Sequence, residues 1–264
     1  MADKFEYSDE QLKSLLAGIY ADEITQYDLP VDLYEAIVKQ LTSGLYKGYG
    51  GNLADFEGKD LELLNELRES VYMFSAAKTY QEVGTIRDLM FDSNGDLVGQ
   101  REFNQLGAAT SENWNDNWGS TEYNTTIQQA QTASKWNEIE KNKDLLPYVQ
   151  FQTTGGGNVC EICAPLDGLT ARVDDPIWDE ATPCLHFNDE CIIIQLGEDE
   201  ATESSKEEID NIQSHIDDKV SDVFRMNPAK DGYIFSDAHP YFQVAEKDAA
   251  FAKNNFGLPL PESD

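Results

Sequence analysis

Apolar positions in the first hundred residues recur with the period of about 3.6 residues that is typical of amphipathic helices. After Ser8, which can cap a helix and is followed by two acidic residues, leucines and isoleucines fall on one stripe up to Ile19. Comparable stripes begin after Pro30 and at Leu64, and the last continues toward Leu89. Stripes of this kind cover a core. The pattern predicts an N-terminal region of helices that each bury one face.

Turn residues mark the ends of these helices. Three glycines are expected to stop the second helix: Gly48, Gly50 and Gly51. Asp92–Asp96 has the alternating oxygen side chains of a calcium loop, but Leu97 stands where that loop needs glycine and Phe103 where it needs glutamate. An ordinary turn is predicted there instead. Further along, Ser120 is expected to cap a helix that runs to Trp136.

Beyond Leu146 apolar and polar positions alternate, with the period of two residues that is typical of strands. Tyr148–Thr153 alternates as a half-exposed strand, and Gly155–Gly157 supplies a permissive backbone between this strand and the first cysteines. Leu166–Gly168 reads as a turn, and Cys191–Ile194 as a buried strand. A small sheet is therefore predicted in the second half of the chain.

The net charge limits the kinds of molecule that the protein is expected to bind. Nineteen basic residues stand against fifty acidic ones, so the net charge of the 264-residue chain is −31. A surface this acidic repels nucleic acid, and direct sequence-specific DNA binding is not expected. No apolar run approaches the roughly eighteen residues that cross a bilayer. The start, Met1–Glu6, is not apolar, so no signal peptide and no oxidising compartment are predicted.

All four cysteines and one of the three histidines fall between Asn158 and Leu196. Cys160 and Cys163 are separated by two residues, the spacing that lets one tight turn point both sulfurs at a tetrahedral zinc ion. A second group of candidate ligands follows after a loop of the length that zinc ribbons use: Cys184, His186 and Cys191. This clustering predicts a metal site that links the segments of the predicted sheet.

Five candidates are available for four positions. The predicted ligands of Zn²⁺ are Cys160, Cys163, His186 and Cys191, with Cys184 as a substitute because it projects to the same side of an extended segment as His186. A pair of disulfides is the alternative interpretation of the cysteines. With thiolates filling the coordination shell no position is left for a water molecule, so the predicted role of the metal is structural.

Catalytic machinery is not evident in the sequence. The paired histidines of a metalloprotease helix and the His-x-Glu of a nucleotide deaminase are both absent. A phosphate-binding glycine loop and a Gly-x-Ser-x-Gly elbow are absent as well. We therefore expect no catalytic residues and no organic cofactor. The predicted fold class is α+β: a helical region at 1–110, a small zinc-stapled module with strands at 111–196, and an acidic linker with an extended C-terminal arm at 197–264.

Several motifs in this order resemble a known family. They are Trp118, Thr121–Asn124, Ala130, Trp136, Tyr148–Phe151, Cys160-x-x-Cys163, Leu166–Gly168 and Pro183-x-x-His186-Phe187-Asn188. Together they resemble the phage Mu protein F-like family of head morphogenesis, or minor head, proteins over about residues 60–196, most specifically in the last forty. Members of that family follow the histidine with Cys-x-Cys, and the first of these positions is Asp189 here. By this resemblance the fourth ligand is Cys191, Cys184 or an oxygen of Asp189.

The resemblance implies a virion component that is assembled in the bacterial cytoplasm in few copies. Its implied partners are the portal protein, the major capsid protein or both, and its implied task is head assembly, genome packaging or genome delivery. Self-association is an open alternative. The second functional hypothesis is a zinc-dependent hydrolase, a nuclease or peptidase acting during infection. A third, an acidic mimic of DNA, would need regular double stripes of acids, whereas the acids are dispersed apart from one dense run.

Overall fold

The computed structural model describes residues 5–154 and 159–261, so Gly155–Gly157, predicted to lead into the first cysteines, lie outside the described residues. The α-helices are α1 (Asp9–Tyr20), α2 (Val31–Tyr49), α3 (Gly58–Asp88), α4 (Gln100–Glu112), α5 (Gly119–Asn142), α6 (Lys206–Lys219), α7 (Pro228–Asp231) and α8 (Ala249–Lys253). The strands are β1 (Tyr148–Gln152), β2 (Thr170–Arg172) and β3 (Ile192–Leu196). Helices with one small antiparallel sheet confirm the predicted α+β class.

The three predicted N-terminal helices are confirmed as α1, α2 and α3. Ser8 caps α1 as predicted: its hydroxyl accepts the N–H of Gln11 at 3.2 Å, and its own N–H donates to Gln11 Oε1 at 2.9 Å. The apolar stripes of all three helices contribute buried side chains. Gly50 ends α2 with a φ of 97°, a left-handed conformation that favours glycine, whereas Gly48 lies inside the helix instead of stopping it.

The helix that contains Trp136 starts differently from the prediction. Ser120 does not cap it, because α4 continues through a π-helical segment, Asn113–Trp118, directly into α5. The Ser120 hydroxyl instead donates to the carbonyl oxygen of Asp116 at 2.6 Å. The carbonyl oxygen of Trp114 accepts both the Gly119 N–H and, at 2.9 Å, the Lys78 ammonium. Hydrogen bonds from side chains to helix carbonyls accompany such local widening of a helix.

The chain forms two compact units. Unit 1 comprises Met1–Ser43, Glu69–Tyr123 and His239–Asp264, and unit 2 comprises Gly44–Arg68 and Asn124–Ala238. The consecutive division at 1–110, 111–196 and 197–264 follows sequence character and stays a prediction. Among the described residues, the helices all lack the combination of length and apolar character that crossing a membrane requires.

Unit 1 combines an apolar core with buried charged side chains. One part of the core is a cluster of apolar and aromatic residues: Leu29, Tyr34, Ala76, Ala77, Tyr80 and Phe256. Beside Ala77 in α3, Lys78 is 1% exposed, and its ammonium lies 2.6 Å from Glu122 Oε2. One turn further on, Glu82 is fully buried. Such groups are tolerated in a protein interior only with polar partners, which both residues have.

Unit 2 is built around a three-stranded antiparallel sheet in the order β2-β1-β3, in which Val149 of β1 lies opposite Ala171 of β2 and Gln195 of β3. The core on one face includes Trp136 of α5 and Trp178, whose ring centroids are 6.2 Å apart. The predicted strand Tyr148–Thr153 and the turn at Leu166–Gly168 are confirmed.

Two predictions for the second half of the chain need correction. The strand after Cys191 is at the edge of the sheet, not buried throughout, since Ile192 is 52% exposed and Ile193 only 5%. Among the described residues after Leu196, helix α6 takes the place of most of the predicted acidic linker, and short helices interrupt the predicted arm. Helix α6, capped by Ser205, buries Ile212 and Ile216 in the unit 2 core, because apolar side chains four residues apart share one helix face.

Candidate metal centre

The first two candidate ligands lie on a tight turn before a short 3-10 helix, Ala164–Leu166. The N–H of Ala164 donates to the Cys160 carbonyl oxygen at 3.0 Å, which closes the turn. The N–H of Cys163 donates to Cys160 Sγ at 3.3 Å. Backbone N–H groups aimed at a sulfur stabilise negative charge on it. The two-residue spacing thus produces the local geometry that the sequence predicts.

His186 approaches this turn from the second half of the site. Its Nε2 lies 3.1 Å from Cys160 Sγ, and its Nδ1 lies 2.9 Å from the Phe187 carbonyl oxygen. Because a carbonyl oxygen only accepts, we assign the proton to Nδ1. Nε2 then presents its lone pair toward the cysteines, and the carbonyl fixes the ring orientation, as is usual for histidines that bind metals.

Asp189 organises the loop between His186 and Cys191. Its carboxylate is buried and accepts two backbone N–H groups, that of Leu185 through Oδ2 and that of Cys191 through Oδ1, each at 2.8 Å. Asn188, immediately before it, has a φ of 57°, a left-handed conformation that asparagine tolerates better than most residues. The carboxylate therefore holds both ends of the loop.

The structure brings five of the six candidates into two overlapping groups. The ligand atoms of Cys160, Cys163 and His186 all lie within 4.8 Å of one another, and so do those of Cys163, Asp189 and Cys191. Cys163 belongs to both groups. These residues could hold a metal ion.

Cys184 is not brought into either group. It is buried, and its thiol donates to the His186 carbonyl oxygen at 2.8 Å. All four cysteines are free thiols, so the disulfide interpretation is not supported. The spacing of Cys184 makes it a predicted substitute ligand, but spacing alone does not show that its thiol donates to a backbone carbonyl oxygen.

Two buried cysteine thiols at or beside the candidate site have raised pKa values. The pKa of Cys163 is raised far above its ordinary value by the hydrogen bond with Cys191, by burial and by the charge of Asp189. Burial is also the main cause of the raised pKa of Cys184. With its pKa raised in this way, the Cys163 thiol holds its proton unless a cation compensates the charge, and a divalent ion would supply that compensation. The sulfur and imidazole donor set suits zinc.

Packing fixes the site at the border of the unit 2 core. Cys163, Cys184 and Cys191 are members of that core, while Cys160 packs against it and is partly exposed. The hydrogen bonds by which Asp189 holds the loop are not among the features predicted from the sequence. A usable signal was present: an aspartate two residues before Cys191 can accept that residue's N–H in an Asx turn.

A comparison with family models finds a match over part of this chain. Residues 106–194, about a third of the chain, match the family described as phage Mu protein F like protein. The match includes the first cysteine pair, His186 and Cys191, and it confirms the resemblance over those residues. Curated proteins and solved structures gave no match.

Proposed function

We propose that this chain, whose residues 106–194 match the phage Mu protein F-like family, is a noncatalytic minor protein of a phage head. In this proposal it is assembled into the particle in the bacterial cytoplasm and contacts the portal protein, the major capsid protein or both. Its task is head assembly, genome packaging or genome delivery. The single observation that carries the proposal is the family match, because it covers the segment in which the candidate metal ligands lie.

We assign the metal as Zn²⁺ and its ligands as Cys160, Cys163, His186 and Cys191. The first three already form one close group, and Cys191 lies close to Cys163 in the second. Asp189 is the competing fourth ligand, but both of its oxygens accept backbone N–H groups, so binding a metal would weaken those bonds. When bound, the ion would supply a tetrahedral link between the Cys160–Cys163 turn and the start of β3.

A structural metal is favoured over a catalytic one by the donor set. Three sulfurs and one imidazole fill a tetrahedral shell, whereas catalytic zinc sites use three protein ligands and leave a position open. The alternative, a zinc-dependent hydrolase, is distinguished by replacing His186. In the structural case, His186→Ala lowers both the zinc content and the thermal stability of the protein. A folded, zinc-loaded His186→Ala protein that has lost a nuclease or peptidase activity of the native chain would favour the hydrolase.

Particle composition tests the proposed function directly. Virions and procapsids purified from the phage that carries this gene are analysed by quantitative mass spectrometry. We expect this chain in both kinds of particle, at a small fraction of the amount of major capsid protein. A phage lacking the gene is expected to yield fewer filled heads than the parent. Absence of the chain from both virions and procapsids would overturn the proposal, even if it were abundant in the lysate.

A further inference from the structure

A groove of about 680 Å³ in unit 2 runs between α5 and β3. One wall is a face of α5 from Asn124 to Lys135, and the other is the stretch from Asp189 to Ile194. In the sheet order β2-β1-β3, the outer side of β3 has no strand partner among the described residues. The groove therefore follows an open sheet edge.

The lining residues show that the strand edge, and not a sheet face, borders the groove. Ile192, Ile193 and Ile194 all contribute to the lining although they are consecutive. Because successive side chains of a strand point to opposite faces, three consecutive residues line one space only where that space follows the backbone. Main-chain groups of β3 are thus within reach of an occupant.

The hydrogen-bond pattern identifies which main-chain groups these are. The N–H of Phe151 donates to the carbonyl oxygen of Leu169 at 2.9 Å, so Phe151 of β1 faces β2 and its neighbour Gln150 faces β3. Gln150 lies opposite Ile194, so the main-chain groups of Ile194 face β1. By the same alternation, the N–H and C=O of Ile193 face away from β1, on the side of the groove.

The outer edge of β3 lacks the sequence features that prevent another strand from pairing with it. Natural proteins block exposed edges with lysine, proline, bulges, very short strands or a covering helix or loop, and here the groove separates α5 from β3 at Ile192–Ile194. The sequence of β3, Ile-Ile-Ile-Gln-Leu, contains neither charge nor proline, and it pairs with β1 along its whole length without a bulge. An apolar, regular edge beside a groove is the arrangement to which an extended peptide adds as a further strand.

The opposite wall suits an extended chain as well. It presents amide and hydroxyl side chains that can donate to or accept from a peptide, with one apolar residue among them: Asn124, Ile127, Gln128, Gln131 and Thr132. Of the charged residues in the lining, Asp189 is buried with both oxygens on backbone N–H groups, and Glu190 and Lys135 balance each other, so the acidic excess comes from the chain as a whole. The net charge of −31 favours a basic occupant, since complementary charge speeds association and selects the partner.

We propose that the groove binds an extended segment of another protein, rich in lysine or arginine, which pairs with the outer edge of β3 as a fourth strand. Main-chain hydrogen bonds to Ile193 hold the segment. Side chains on one face of the segment meet α5, and its basic side chains offset the acidic surface. This inference goes beyond the proposed head function and does not depend on it, because it rests on the edge, the groove and the charge alone.

Peptide titration tests the mode of binding. The full-length, zinc-loaded protein is titrated with a fluorescent peptide of about seven alternating lysine and valine residues, a length that matches a short strand. Two further peptides carry N-methyl groups on alternate main-chain nitrogens, one in each phase. We expect one methylated peptide to lose affinity by about tenfold or more and the other to bind like the parent. A glutamate and valine peptide should bind much more weakly.

Matched variants test the location. Ile192→Lys adds a positive charge at the groove, and Leu145→Lys makes the same change at a position that is 79% exposed and does not line it. Gln131→Lys, an exposed change on α5, tests the other wall without disturbing the sheet. Both groove variants should weaken binding of the lysine and valine peptide severalfold, and Leu145→Lys should not. Equal loss from both methylated peptides, tight binding of the acidic peptide or unaltered binding by Gln131→Lys would overturn the proposal.

Discussion

Gly48 in α2 occupies a position where a side chain has no room. A Cβ built there would lie 2.2 Å from the carbonyl oxygen of Ile127, and 2.8 Å from the Cβ of Ala130. The nearest atom belongs to the backbone of α5 and cannot rotate away. Gly84 in α3 differs, because its nearest neighbour would be the Cβ of Gln26 at 3.9 Å. The two glycines lie in helices but have opposite surroundings.

The same substitution at these two positions should therefore change stability in opposite directions. Gly84→Ala should raise the free energy of unfolding by up to about 1 kcal/mol, because alanine loses less backbone entropy in a helix. Gly48→Ala should lower it by roughly 1–3 kcal/mol, because α2 and α5 must move apart. Urea unfolding of the two variants beside the native protein measures both values. A stabilising effect of Gly48→Ala would show that the helices are not in close contact there.

Cys184 and Cys191 are both buried, and of the two only Cys191 belongs to a group that could hold a metal ion. We predict that Cys191→Ser greatly weakens zinc binding, whereas Cys184→Ser retains one zinc per chain despite some loss of stability. Elemental analysis of the purified variants, combined with titration of accessible thiols, measures both quantities. If Cys184→Ser lost the metal and Cys191→Ser retained it, Cys184 would be the fourth ligand and the assignment would be reversed.

At the scale of elements, buried polar contacts join α3 to its neighbours within unit 1. From α3, Lys78 binds Glu122 of α5, and Tyr241 from the C-terminal segment donates to the other oxygen of Glu122 at 2.8 Å. Glu82 Oε1 accepts hydrogen bonds from Ser111 and Asn115, each at 2.8 Å. Burial dominates the acidity of Glu82 and raises its pKa to about 7, although Lys78 acts in the opposite direction.

This raised pKa predicts a pH-dependent stability. Between pH about 4.5 and about 7 the unfolded state releases the Glu82 proton while the folded state keeps it, so this carboxyl makes folding less favourable as pH rises through that window. Above the folded pKa the penalty is constant, on the order of 3 kcal/mol. Glu82→Gln carries no such proton and can keep the Oε1 contacts. Its stability relative to the native protein should therefore increase from pH 5 to pH 8.

Urea unfolding of both proteins across this range tests the prediction. Comparing the two removes contributions that they share, such as that of His239, whose pKa burial lowers to about 4. His239 has the opposite effect, because the unfolded state takes up its proton first as pH falls and stability decreases toward acid. A stability difference between Glu82→Gln and the native protein that does not vary with pH would contradict the raised pKa of Glu82.

At the scale of the whole molecule, the net charge of −31 dominates the electrostatics. Most ion pairs among the described residues involve exposed side chains, such as Lys39 with Glu6 and Lys143 with Glu140, and pairs of this kind contribute little. Repulsion among the many acids that remain therefore opposes compaction. Added salt shortens the range of this repulsion from about 30 Å at 0.01 M to about 8 Å at 0.15 M.

We predict that the melting temperature of the zinc-loaded protein rises with salt over that interval. Differential scanning calorimetry in sodium chloride and in choline chloride should give equal increases, because screening depends on ionic strength and not on the cation. A decrease with salt would mean that favourable ion pairs outweigh the repulsion. An increase in sodium chloride alone would indicate a specific cation site.

The sequence by itself determined the features that depend on residues close together in the chain. The apolar stripes and the cap at Ser8 fixed α1 to α3, because helix periodicity and capping depend on residues within a few positions of one another. The Cys160 and Cys163 turn follows from the same locality. The ordered motifs also identified the family over the matched segment.

Only the tertiary structure decided which distant groups share an environment. It placed Asp189 on two backbone N–H groups and left Cys184 outside the groups that could hold a metal ion, and the spacing of these residues in the sequence does not show this difference. It buried Lys78 and Glu82 among polar partners from other elements, and packed Phe256 of the C-terminal segment against Tyr80. Burial and pairing across long stretches of sequence are properties of the packed chain, so a reading of local patterns cannot supply them.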